Sequence, residues 1–211
     1  MNEPISIIIV DDHAVVRSGL RAYLSSSTEF VVIGEAASGE EAIDLTRQNL
    51  PDVVLMDLIL PGMDGSQATS IIKRISPRTK IVVLTSSHDD DLIFSAFRSG
   101  AHACILKDMK MDNLTGAICK AVNDEVSLHP RMAAQILSNS RKFGNLGDNS
   151  PWFLTESETE VLGLIAQGFS NRKISDELQI NENKVNRHLS NILNKLHLIG
   201  RTQSALNEIH Q

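Results

Sequence analysis

Five short apolar runs, four of them closed by a polar residue and each followed by helical spacing, predict an α/β fold, a doubly wound five-stranded parallel sheet over residues 1–124. A second observation is the change of pattern near residue 125, after which the periodic stretches are all helical and a small all-α domain is predicted. The third is charge. Residues 127–211 carry nine Lys/Arg against eight Asp/Glu, a net of +1, which leaves −7 for residues 1–126. An acidic half joined to a weakly basic one points to a nucleic-acid module in the second half. With 211 residues, 42% hydrophobic and 22% charged, the chain has the composition of a soluble protein and room for two modest cores. Its first residues, Met1-Asn2-Glu3-Pro4, are not basic and precede only six apolar strand residues, so no secretory signal, no membrane span and a cytoplasmic location are predicted. Cys104 and Cys119 match no metal or redox spacing, and both are read as small apolar filling.

The elements follow in order. Residues 5–10 are an unbroken apolar strand that stops at Asp11-Asp12, two adjacent carboxylates that repel and call for a compensating cation. Val15, Val16, Leu20 and Leu24 stripe a helix, and residues 30–33 form a second strand. Ser38-x-x-Glu41 is a capping box that opens the next helix. The run Asp52-Val53-Val54-Leu55-Met56, bounded by Pro51 and Pro61-Gly62, reads as a central strand buried on both faces and ends on Asp57. A helix over 65–74 leads to a strand over 80–85 that ends on Thr85. A helix over 89–99, stopped by Gly100, leads to a strand over 102–106 that ends at Lys107. The last helix of this half covers 111–122.

In an open parallel sheet the carboxyl ends of the strands share one edge, and ligands bind there. Asp11, Asp12, Asp57, Thr85 and Lys107 all stand at that edge. Singly, each has an ordinary reading as a cap, a turn residue, a strand-end hydroxyl or a snorkelling amine. Together they are what phosphoryl transfer to an aspartate needs. Asp57 is the nucleophile, a divalent cation held by Asp12 and Asp57 neutralises the incoming oxygens, Asp11 orients the cation's waters, and Lys107 pairs with another phosphoryl oxygen. Mg²⁺ suits a site of few carboxylates. Asp57 is read as facing solvent, outside the core.

These residues carry a resemblance. Ile9-Val10-Asp11-Asp12-His13, Met56-Asp57-Leu58-Ile59-Leu60-Pro61-Gly62-Met63-Asp64-Gly65, Leu84-Thr85-Ser86 and Gly100-Ala101-His102-Ala103-Cys104-Ile105-Leu106-Lys107 resemble the flavodoxin-like receiver domain of bacterial two-component response regulators. The resemblance implies that a sensor histidine kinase gives its phosphoryl group to Asp57 and that the backbone carbonyl of Ile59 joins the metal ligands. It also implies that Thr85 moves toward the phosphoryl oxygens and remodels the face of the fourth helix, fifth strand and fifth helix. Two positions depart from the pattern, Cys104 where an aromatic is usual and Ala103 where glycine is usual. Ile59, two residues after the phosphoacceptor, can neither orient nor deprotonate a water, so a long-lived phosphoryl state is predicted.

Residues 125–151 read as a linker, because helical spacing over 126–137 gives way to Ser138-Asn139-Ser140 and the turn formers of 143–151. Trp152 is read as a packing anchor where the second domain, 152–211, begins. Thr155-x-x-Glu158 is a second capping box, Ser170 caps a short helix, and Asn181 caps a longer one over 182–196 with Val185, Leu189, Ile192, Leu193 and Leu196 inward. Two helices joined by a short turn fit either a helix-turn-helix or a plain helical hairpin. The outward face of the longer helix, with Lys184, Asn186, Arg187, Ser190, Asn191 and Asn194, is rich in donors and free of carboxylates after Glu182. Arg and Asn read base edges, and Ser and Lys bond phosphates.

The segment Leu154-Thr155-Glu156-Ser157-Glu158, with Gly168-x-Ser170-Asn171, Val185-x-x-His188, Ile192-x-x-Lys195-Leu196 and Arg201-Thr202-Gln203, resembles the LuxR-type DNA-binding domain, and the whole chain resembles a NarL/FixJ-class regulator. The resemblance implies contacts to double-stranded promoter DNA from Lys184, Asn186, Arg187, Ser190, Asn191 and Lys195. It further implies a homodimer when phosphorylated or DNA-bound, built on a separate final helix over 202–209. Asn186 stands where lysine is usual. Two other classes compete: an aspartyl-phosphate phosphatase, which needs a second Asp where Ile59 stands, and a receiver whose output binds protein instead of DNA.

Overall fold

A computed structural model describes residues 3–87, 89–107, 111–126, 128–143 and 154–209, without the side chains of 141–143 and 199–209. The chain divides into two compact units, Met1–Asn123 and Asp124–Gln211.

The first unit holds five parallel strands, β1 (Ile5–Val10), β2 (Phe30–Ala36), β3 (Val53–Asp57), β4 (Lys80–Thr85) and β5 (Ala103–Leu106), in the order β2-β1-β3-β4-β5. Between and after them run α1 (Ala14–Leu24), α2 (Gly39–Asn49), α3 (Gly65–Ile75), α4 (Asp90–Ser99) and α5 (Met111–Val122). The unbroken apolar run of β3 is explained by its central place, where every residue is buried. One face of the sheet packs Ile7, Ile9, Leu55 and Val82 with Leu20 and Leu24 of α1 and Leu114 and Ile118 of α5. The register pairs Val10 with Met56, Asp57 with Leu84, and Thr85 with Leu106, so the strand ends lie level along one edge.

Local chemistry sets the helix starts. The Ser38 hydroxyl accepts from Glu41 N at 3.2 Å, and Asp64 and Asp89 accept from Gln67 N and Asp91 N at 2.8 and 2.9 Å. Gly65 is required where α3 begins, because a Cβ there would lie 2.0 Å from the Asp57 carbonyl oxygen. That close approach seats the start of α3 directly behind Asp57.

The second unit is helical: α6 (Pro130–Phe143), α7 (Glu156–Ala166), α8 (Asn171–Glu177) and α9 (Glu182–Ile209). Two expectations are corrected. The stretch read as a linker contains α6, which packs on α7 and buries Met132, Ala133 and Ile136, with Val126 and Leu128 buried ahead of it. Proline at the first helical position leaves no N–H unsatisfied, and Ser138-Asn139-Ser140 ride on the helix instead of ending it. The separate helices expected over 182–196 and 202–209 are one helix of 28 residues, in which Gly200 lowers local propensity without stopping the helix. Trp152 lies outside the described residues.

Candidate functional site

At the carboxyl edge of the sheet the acidic strand ends meet a lysine ammonium. Lys107, one residue past β5, donates from Nζ to Asp11 Oδ2 and to Asp57 Oδ2, both at 2.6 Å. Asp11 is 1% exposed and Asp57 4%, so Asp57 is buried and the expectation of a solvent-facing side chain is corrected. One reason is local: the start of α3 is seated against the Asp57 backbone, where Gly65 allows a close approach. Burial, with a smaller contribution from the Asp11 charge, raises the Asp57 carboxyl above the ordinary aspartate range against the opposing pull of the Lys107 ammonium and the Ile59 N–H. Burial disfavours the charged Lys107 amine as well, yet the two carboxylates outweigh this and raise its pKa.

Asp12 sits at the rim, and its Oδ1 is 2.6 Å from His13 Nδ1, which also lies 3.4 Å from Asp11 Oδ1. Asp11, Asp12 and His13 bring one ligand atom each within 4.8 Å of one another, an acidic pocket compatible with Mg²⁺. His13 was not among the residues singled out from sequence. Its adjacency to the Asp pair was the available signal. Ile59 donates its N–H to Asp57 Oδ1 at 3.2 Å, while its side chain is 56% exposed at the mouth. Thr85 is fully buried, and its hydroxyl accepts from Ser87 N at 3.0 Å. The edge therefore gathers Asp11, Asp57 and Lys107 in direct contact, with Asp12 joined through His13. The Cys104 thiol is pushed up to about 12 by burial, so it is neutral and inert at physiological pH.

In the second unit Ser170 caps α8 by accepting from Lys173 N, and Asn181 accepts from Lys184 N at 2.8 Å ahead of α9. Val185, Leu189, Ile192, Leu193 and Leu196 are all buried, which fixes the rotation of α9. Lys184, Arg187, Asn191 and Asn194 are exposed, whereas Asn186 and Ser190 are half-buried along one flank. Ser190 Oγ donates to the Asp124 carbonyl at 3.4 Å, and Asn186 Oδ1 accepts from Asn171 Nδ2 at 2.9 Å.

Lys195 requires a correction. It lies off the exposed face, and its Nζ is 2.6 Å from Oε2 of Glu158, itself 2% exposed and part of the Thr155 capping box. Its charge is needed inside the domain. Lys195→Ala is therefore expected to cost about 3 kcal/mol by stranding a buried carboxylate, and to leave the salt dependence of DNA binding unchanged. Chemical denaturation and a salt titration together check this.

An acidic pocket at the edge of a doubly wound sheet, joined to a helix-turn-helix with a donor-rich face, defines a two-domain regulatory protein. Residues 7–119 match the family described as response regulator receiver domain, and residues 153–207 match bacterial regulatory proteins of the luxR family. The transcriptional regulatory protein LiaR of Bacillus subtilis (strain 168) is 41% identical over 204 residues, 96% of this chain and 95% of that protein. The response regulator protein VraR of Staphylococcus aureus (strain NCTC 8325 / PS 47) is 37% identical over 202 residues, again 96% and 95%. A solved structure of the Salmonella typhimurium RcsB response regulator is similar at a TM-score of 0.56 and 25% identity, covering 92% of this chain and 93% of that one. The chain belongs to the two-component response regulators with a receiver domain and a LuxR-type DNA-binding domain, and it is a transcriptional response regulator. Among the described residues, no helix is long and apolar enough to cross a membrane.

Proposed function

We propose that Asp57 accepts a phosphoryl group from the phosphohistidine of a sensor kinase in the cytoplasm, and that this controls dimerisation and promoter binding by α9. The observation that carries the proposal is Lys107 held between two buried carboxylates at 2.6 Å. An Asp57 oxygen attacks phosphorus, the P–N bond breaks, and its electron pair returns to the imidazole, leaving an acyl phosphate on Asp57. Lys107 keeps its bond to Asp11 and exchanges Asp57 for a phosphoryl oxygen, so the ammonium stays paired throughout. Asp12, Asp57 and the Ile59 carbonyl would hold Mg²⁺, with Asp11 holding its waters. Bound there, the ion supplies positive charge against the phosphoryl oxygens. The Thr85 hydroxyl then turns from Ser87 toward the new oxygens.

Ile59 has no group to activate a water, which supports a stored phosphoryl state over turnover. Ile59→Glu is expected to speed loss of the phosphoryl group about a hundredfold, the lower end of general-base catalysis. Decay of that variant at the parental rate would assign the lifetime to another group.

On α9, Lys184 and Arg187 are proposed to contact phosphates or base edges, with Asn186, Ser190 and Asn191 beside them. The test is binding to a promoter duplex before and after treatment with acetyl phosphate and Mg²⁺, with oligomeric state followed by light scattering. Phosphorylation is expected to raise both affinity and the dimer fraction. Lys184→Ala and Arg187→Ala should each reduce the log-log salt slope by about one unit for each phosphate that the parental side chain neutralises. A slope that neither change alters would place the DNA surface elsewhere.

A further inference from the structure

Asn171, the first residue of α8, reaches two acceptors with its side-chain nitrogen. Nδ2 donates to Asn186 Oδ1 at 2.9 Å and to the Val126 backbone carbonyl at 3.2 Å. The second bond settles the first. A carbonyl oxygen can only accept, so the end of the Asn171 amide that meets Val126 is its NH₂, and the remaining hydrogen needs an acceptor at position 186. Of the two ends of the Asn186 amide, only Oδ1 accepts. Its carbonyl is therefore held toward α8, and its NH₂ is turned the other way.

An asparagine free to rotate reads adenine bidentately, accepting from N6 and donating to N7. The Asn186 carbonyl is turned toward α8 by the bond from Asn171, so its oxygen is not presented outward. Two N–H donors remain, and in the major groove the edge offering two adjacent acceptors is guanine, through O6 and N7. We infer that Asn171 positions Asn186 as a donor-only reader, so that α9 selects guanine over adenine at the base pair facing residue 186. This rests on the reading of α9 as the DNA-contacting helix. It also gives a physical account of an asparagine where the LuxR-type pattern usually has lysine: lysine too is donor-only, so an oriented asparagine keeps the hydrogen-bond polarity and gives up the charge.

The test selects duplexes from a randomised library with the full-length protein treated with acetyl phosphate and Mg²⁺. The relevant base pair is the one whose preference Asn186→Ala flattens. The unsubstituted protein should favour guanine over adenine there by about tenfold, within the range of a good bidentate contact. Asn171→Asp has no donor for the Asn186 carbonyl and accepts from its NH₂ instead, turning the carbonyl outward. Guanine should lose its advantage at that base pair to adenine and cytosine, whose N6 and N4 donate, with the rest of the site unchanged. Asn171→Ala frees the amide to turn, and the guanine-to-adenine ratio should fall toward one. Asn186→Lys, a donor in any orientation, should keep guanine with or without Asn171→Asp. A uniform loss of affinity with the guanine preference intact in both Asn171 variants would mean that Asn171 only supports the fold, and would overturn the inference. So would an Asn186→Ala protein that selects the same sequences as the parent. Failure of the unsubstituted protein to select any sequence would overturn the DNA-contact reading itself, and it is seen before any variant is made.

Discussion

Asp57→Asn takes up no phosphoryl group from acetyl phosphate and Mg²⁺, and melts a few degrees above the parent at neutral pH without Mg²⁺. The first half follows from chemistry, since an amide oxygen is too weak a nucleophile to form the acyl phosphate. The second half follows from burial. The folded-state pKa of Asp57 is raised, with burial as the largest cause and the lowering by Lys107 second. A raised pKa means that the folded protein binds this proton more tightly than the unfolded chain does. Charged Asp57 therefore costs stability above its folded pKa, and the cost shrinks as pH falls from that value toward the pKa of the unfolded chain, below which it is gone. Asparagine has the same shape without the charge, and Lys107 keeps Asp11 as its partner. The stability gap between variant and parent should thus be widest near neutrality and close on acidification. Intact mass and thermal melts from pH 7 down to pH 4 check both halves. A mass gain of one phosphoryl group on the variant would sink the site assignment, and a gap that widens in acid would reverse the electrostatic argument.

The receiver half was legible because its signals are local and redundant. Four of the five strands are apolar runs with a polar stop, and sharing one sheet edge then brings Asp11, Asp57 and Lys107 together without knowledge of any tertiary packing. What the sequence left open was burial. Nothing in the run around Asp57 says that α3 starts hard against its carbonyl, although Gly65, the residue that permits this, was in view. The second half was harder to read for a different reason. Ser138-Asn139-Ser140 have turn-forming composition, but α6 is held by its apolar face on α7, a tertiary effect that outweighs propensity. Lys195 shows the same limit. By helical spacing it borders the polar face, and only the position of Glu158, on another helix, turns its charge inward.

Lys107→Met is expected to destabilise the receiver by about 3–5 kcal/mol at neutral pH without Mg²⁺, the cost of removing one member of a buried charged set. Methionine is chosen because it keeps most of the apolar stem and removes the ammonium, so that altered packing contributes little. Asp11 Oδ2 and Asp57 Oδ2 are each 2.6 Å from the same nitrogen, so they lie no more than 5.2 Å apart. Both side chains are at most 5% exposed. Without the ammonium, two buried carboxylates face each other, and burial together with Asp11 then raises the Asp57 pKa with no lysine to oppose them. The sign of the pH dependence follows. One carboxyl takes a proton as pH falls through its raised folded pKa, so the penalty is largest at and above neutrality and shrinks in acid. A divalent cation can supply the missing charge from the Asp12 side. Mg²⁺ at a hundred times its dissociation constant stabilises a folded state by about 2.7 kcal/mol, so Mg²⁺ should recover a large part of the loss, while the parent, already neutralised by Lys107, responds less. Urea denaturation at two pH values, with and without Mg²⁺, measures all of this. A variant as stable as the parent at pH 7, or one that gains no more from Mg²⁺ than the parent does, would show that Lys107 does not offset the charge of the two aspartates.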